Sequence, residues 1–177
     1  MAAISRKGFG QVEPNHLSGI VTGQIYAQLP ADNTVFTSGI LEQGMFVKYD
    51  YAAGKVNLAG DGEWMLVYNE EKLYDERKQS HKDYAMKVGN FTGKEMVPRL
   101  IKTNVGDIYT TNTFGANTSE DAVVDGLTLS LGNKLEVDSS TGYLKVAGQS
   151  PTGMVWKVVK VYTMPDGQPG VKLQRIQ

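Results

Sequence analysis

The chain contains two histidines, His16 and His81, and no cysteine. Disulfides, zinc–thiolate centres and cysteine nucleophiles are therefore excluded. Neither histidine has a second imidazole at ligand spacing, so no metal centre is expected. His16 follows Pro14-Asn15 and reads as a turn residue making one hydrogen bond, while His81 lies among charges and reads as solvated. Gly8-Phe9-Gly10 lacks the third glycine, the preceding strand and the following helix of a phosphate loop. Glu120, Asp121 and Asp125, with Asn117, lack the alternating spacing and central glycine of a calcium loop and read as a solvated loop. Glu70 and Glu71 are adjacent, so on a strand they point to opposite faces and are poor candidates for a shared acid/base site. A Ser-His-Asp set is not excluded by residue types alone, but no nucleophile elbow supports one. The expectation is a protein that is not an enzyme and holds no cofactor and no metal.

The elements that position these residues read as strands. Tyr143-Leu144-Lys145-Val146 alternates with period two, and Val171 to Ile176 does so more clearly. Asp138-Ser139-Ser140-Thr141-Gly142 separates Lys134–Val137 from the next alternating run and has hairpin composition. Tyr51-Ala52-Ala53-Gly54 plays the same part earlier, and Met164-Pro165-Asp166-Gly167 predicts a tight turn between Val155–Thr163 and a closing strand. Eighteen basic residues against nineteen acidic ones give a net charge of -1. That balance argues against a dedicated nucleic-acid binder and against attraction to an anionic membrane. The amino terminus carries no apolar run behind Arg6 and Lys7, so a secretory signal is not expected, and no run reaches the length of a membrane span.

Four matches recur in order. Gly23-Gln24-Ile25-Tyr26 resembles Gly106-Asp107-Ile108-Tyr109, and Ile40 to Gly44 resembles Val123 to Gly126. Gly54 to Gly60 resembles Gly142 to Gly148, and Trp64-Met65-Leu66-Val67 resembles Trp156-Lys157-Val158-Val159. The expected fold is all-β: two tandem related small antiparallel β-barrel or sandwich units with an extended N-terminal arm. Residues 1–20 form the arm, 21–104 the first unit and 105–177 the second. The first unit carries a long polar excursion at about 70–95, either a short helix or an extended hairpin, with Leu73, Tyr74, Tyr84 and Met86 to anchor it. Trp64 and Trp156 are expected in the core, with a sugar-stacking platform as the alternative. Tyr49 and Tyr51, with Phe36 and Phe46, are candidates for an exposed apolar patch.

Several stretches carry a family resemblance. They are Arg6 to Ser18, Thr22 to Pro30, Gly44 to Asp50, Gly62 to Glu70 and Leu73 to Arg77. Together they resemble small head-associated proteins of tailed bacteriophages, of the capsid decoration or cement kind, over roughly residues 6–110. The resemblance implies a structural virion protein, made in the host bacterial cytoplasm, that sits on the capsid exterior and bridges major capsid protein subunits. Copies of the chain, as monomers or trimers on the lattice, are the other implied partner; nucleic acid and membrane are not. On this reading the arm is the capsid anchor, through Ile4, Arg6, Lys7, Phe9, Val12, His16 and Leu17, with the basic pair meeting acidic capsid groups and Phe9 filling an apolar pocket. The alternatives are a head-fibre or tail accessory module binding host carbohydrate, and a head–tail joining protein.

Overall fold

The computed structural model describes residues 1–13, 17, 24–36, 40–69, 85–87, 96–115 and 123–177. Among these residues all regular structure is β-strand, as the alternating patterns predict. The first half contributes β1 (Ala2–Lys7), β2 (Ile25–Tyr26), β3 (Ile40–Glu42), β4 (Phe46–Asp50), β5 (Lys55–Asn57), β6 (Met65–Val67), β7 (Ala85–Lys87) and β8 (Leu100–Ile101). The second contributes β9 (Ile108–Thr111), β10 (Val123–Leu129), β11 (Lys134–Val137), β12 (Leu144–Val146), β13 (Val155–Thr163) and β14 (Pro169–Arg175).

Two five-stranded antiparallel sheets result, ordered β5-β4-β6-β8-β2 and β12-β11-β13-β14-β9. Matched strand by strand in chain order, these are one and the same order. The hydrogen bonds match as well. Gly44 N–H donates to the Val67 carbonyl at 2.9 Å, and Gly132 N–H donates to the Val158 carbonyl at 2.8 Å. Lys102 N–H donates to the Gln24 carbonyl, and Arg175 N–H donates to the Asp107 carbonyl. Gly44 and Gly132 share φ of 87°, a left-handed turn conformation that costs glycine nothing. One constant offset links Leu41 to Leu129, Gly44 to Gly132, Val47 to Leu135, Gly54 to Gly142 and Val56 to Leu144.

This register corrects two sequence matches. Gly44 corresponds to Gly132, not Gly126. Met65 lies across from Val47 as Trp156 lies across from Leu135, so Trp64 and Trp156 are one residue out of step. One residue on a strand changes the face. Trp156 is accordingly fully buried, while Trp64 is half-buried.

Among the described residues the sheets remain open, since β12 and β9, like β5 and β2, do not pair with each other. The expected barrel closure is therefore absent. Of the expected extended arm, residues 1–13 lie on the body, and residues 14–16 and 18–20 lie outside the described residues. Ala2–Lys7 is a strand, antiparallel to β10, with Ala2 opposite Leu129 and Lys7 opposite Val123. In the first half the matching strand β3 pairs instead with β7, placing Leu41 opposite Met86. The second half has only the Pro165-Asp166-Gly167 turn where the first has residues 70–95, and β1 supplies the missing pairing. The rest of the 70–95 excursion, with its helix-or-hairpin question, lies outside the described residues.

The first sheet is buried on both faces. Val47, Tyr49, Val56, Met65, Val67 and Leu100 pack with Ala31, Phe36, Leu41, Met45 and Tyr143. From the other face Phe46, Leu66 and Ile101 enter the core of the second half, among Tyr109, Leu135, Leu144, Trp156, Val158 and Leu173. Phe46 lies 6.3 Å from Tyr109 and 5.8 Å from Trp156 between ring centroids, and Tyr109 meets Trp156 edge-on at 4.8 Å. At the corresponding positions the second sheet carries Lys134, Lys157 and Gln174, so its outward face stays in water. Phe46→Ala removes the ring that joins the two cores, and is expected to cost about 3–5 kcal/mol in a urea titration. A loss below about 1 kcal/mol would show that the sheets do not depend on this contact.

Candidate functional site

Among the described residues, ionisable and polar groups meet in a buried junction around Glu42. This residue ends β3 and precedes the Gly44 turn, so its side chain is held against the second half. Its Oε2 accepts from Arg6 NH1 at 2.9 Å and from the Gly10 amide at 2.6 Å. Its Oε1 accepts from the Tyr143 hydroxyl at 2.5 Å. Arg6 also donates to the carbonyls of Gly8 at 2.8 Å and Gly115 at 2.7 Å. The side chains of Arg6 and Glu42 are 1% and 0% accessible.

Residues 8–13 then run beside β9. Gln11 N–H donates to Asn112 Oδ1, and Glu13 N–H donates to the Thr110 carbonyl. Thr111 Oγ1 donates to the Gln11 carbonyl at 2.6 Å, and Thr113 Oγ1 donates to the Gln43 carbonyl at 2.8 Å. Thr113 thereby ties the second half to the Gly44 turn of the first. A Cβ on Gly10 would lie 2.2 Å from Thr113 Oγ1, so this approach requires glycine.

Among the described residues the Glu42 side chain is fully enclosed. Its bonds are filled by an arginine, a backbone amide and a phenol, which is how a buried charge is held rather than how one is used in catalysis. Tyr109, at the centre of the core, has its hydroxyl held well above the usual phenol range by burial, so it stays protonated through neutral pH. Among the described residues no three His, Cys, Asp or Glu side chains gather as a metal site. No helix there is long and apolar enough to cross a membrane.

The residues expected to anchor a capsid are distributed differently from the expectation. Ile4, Arg6, Phe9 and Val12 are all buried within the chain itself. Arg6 pairs with Glu42 of the same molecule, and Phe9 fills the protein's own interior, so neither presents a surface to a partner. Leu17 is partly buried against the second core. Lys7 alone is exposed. His16 lies outside the described residues, as do His81, Asn117, Glu120 and Asp121. The aromatic patch does not form either: Phe36, Phe46 and Tyr49 are buried, and Tyr51 is 68% exposed. The half-buried Trp64 packs against the core of the second half and has the Lys48 ammonium 4.8 Å from its ring centroid.

Sequence reasoning missed Glu42, Gln11, Tyr143 and Thr113. Each bonds to a partner far along the chain, which no local pattern announces. No family model, curated protein or solved structure shows significant similarity to this chain.

Arg6→Met leaves the Glu42 carboxylate buried without its cation, and is expected to cost about 3–5 kcal/mol in a denaturant titration. Arg6→Met/Glu42→Leu is expected to recover part of that loss, because no uncompensated charge remains. A chain lacking residues 1–9 is expected to melt well below the full chain, since it loses β1 and the junction together. Unchanged melting would restore the free-arm description.

Proposed function

We propose that this chain is a structural virion protein, built from two related β units in tandem, that binds the exterior of a tailed-phage capsid and stabilises it by bridging major capsid protein subunits. The observation that carries this reading is the cross-locked β body. Two sheets of one strand order share a core through Phe46, and the first thirteen residues stitch them together. That construction supports a rigid load-bearing spacer. The buried Arg6–Glu42 pair serves the lock. The sequence resemblance over residues 6–110 points the same way.

The capsid contact in this reading falls on the outside of the body rather than on the buried arm residues. Bridging suits a protein with two related halves, because many weak contacts on a lattice gain from multivalency. The carbohydrate-binding alternative has less support, with one indole buried and the other half-buried beside a lysine. A head–tail joining role shares the same β body and differs in stoichiometry.

Quantitative mass spectrometry of purified particles tests the proposal. A copy number on the scale of the capsid lattice is expected, together with loss of particles to heat or chelation when the gene is deleted. A copy number matching a single ring would favour the joining role. Absence from particles would contradict a virion role altogether.

A further inference from the structure

The outward face of the second sheet concentrates positive charge that the composition conceals. Residues 105–177 contain six basic and seven acidic residues, a near-neutral set. The register puts five of the six basic ones on one face. Lys134 lies directly opposite Lys157, which lies opposite Gln174. Lys172, two residues from Gln174, lies opposite Lys160. Lys145 lies opposite Glu136, which is two residues from Lys134. Glu136 is the only carboxylate on the five strands of this sheet.

Lys160 reaches this face through a bulge. It is three residues from Lys157, and regular alternation would turn it to the core side. The register shift between Val158 and Lys160 inserts Val159 as an extra residue and restores Lys160 to the lysine face. Lys134, Lys145, Lys157 and Lys160 are exposed. Among the described residues Lys145 has a carboxylate neighbour, Asp138 at 3.8 Å, while Lys134, Lys157, Lys160 and Lys172 make no ion pair.

Two lysine pairs directly opposed across strands, with side chains about 5 Å apart at Cβ, weaken a sheet. The fold gives no return for them. The matching face of the first sheet shows what this side of the unit is for. There Phe46, Leu66 and Ile101 stand where the second has Lys134, Lys157 and Gln174, and they are docked against the other half of the molecule. The same face is thus a docking face in one half, and in the other it is left open and made cationic.

We infer that this lysine face is the surface that meets the capsid, through a carboxylate-rich patch on the major capsid protein. The inference rests on the virion reading above and replaces the N-terminal arm as its contact. A flat face of lysines without arginine forks suits diffuse carboxylates better than the bidentate recognition of phosphate. Its charge steers encounter and fixes orientation, and salt weakens it.

The test uses capsids assembled without this chain, mixed with the full-length wild type or with Lys134→Glu/Lys157→Glu. Wild-type occupancy is expected to fall with added salt, and the variant is expected to bind roughly tenfold more weakly or worse. Carbodiimide coupling of the wild-type complex, which joins amines to carboxylates with loss of water, is expected to link Lys134, Lys157, Lys160 or Lys172 to capsid Asp or Glu. Lys134→Gln/Lys157→Gln, with circular dichroism for both variants, separates lost charge from lost fold; a weakening smaller than that of the Glu variant is expected. Equal occupancy by wild type and the Glu variant, or coupling only through Lys48 and Lys55, overturns the inference and leaves the virion reading intact. No occupancy by the wild type overturns the virion reading itself. Tight binding of duplex DNA by the wild type, lost in the Glu variant, overturns the acidic-protein assignment in favour of a nucleic-acid surface.

Discussion

A carboxylate removed from water must be met by donors on every side, and Glu42 sets that requirement for this molecule. Among the described residues its donors include Arg6 and Gly10 near the amino terminus and Tyr143 in the β11–β12 hairpin, two places distant in sequence. Satisfying one side chain therefore fixes the path of the first thirteen residues and the position of a hairpin a hundred residues on. Buried ion pairs add little net stability over apolar packing, but a mispaired one is costly. The junction acts here mainly by excluding other arrangements. A chain with two sheets of one strand order has an obvious wrong fold, in which β1 pairs with the wrong half. Arg6 reaches the Glu42 carboxylate only when β1 lies on β10.

Packing completes what the junction orients. The two sheets share a strand order and a set of turn hydrogen bonds, yet their outward faces differ in a few residues. Phe46, Leu66 and Ile101 send one face into a second core, whereas Lys134, Lys157 and Gln174 keep the other in water. Three side-chain positions thus convert two similar sheets into a stack with one buried seam and one open end. The corresponding cations Lys102 and Arg175 both approach Glu63, at 3.2 and 3.7 Å, where the halves adjoin. The Lys102–Glu63 pair is exposed and contributes little energy, but both pairs mark the seam.

Local patterns revealed much of this and long-range pairing very little. Alternation in Tyr143–Val146 and Val171–Ile176, and glycine-ended turns at Gly54 and Gly142, correctly indicated strands and hairpins, because those signals are set by neighbours. The order of repeated motifs was visible as well. The tryptophan match failed by one residue because Trp is conspicuous in a sequence, whereas cross-strand register is decided by the facing strand. The N-terminal segment read as an arm because its partner, β10, lies over a hundred residues away and nothing in Ala2–Lys7 announces it. Arg6 looked like a surface cation for the same reason. The lysine face was hidden twice: by a neutral composition, and by a bulge at Val159 that no periodicity rule anticipates.

The first thirteen residues are therefore part of the folded body. Amide hydrogen exchange at Gly10, Gln11 and Glu13 tests this most directly, because these N–H groups donate to the Glu42 carboxylate, Asn112 Oδ1 and the Thr110 carbonyl. Exchange as slow as that of the Val158 amide in β13 is the predicted result, since both would then open only with the whole fold. Exchange near the rate of an unstructured peptide would contradict it, and would return the first thirteen residues to the status of a free arm.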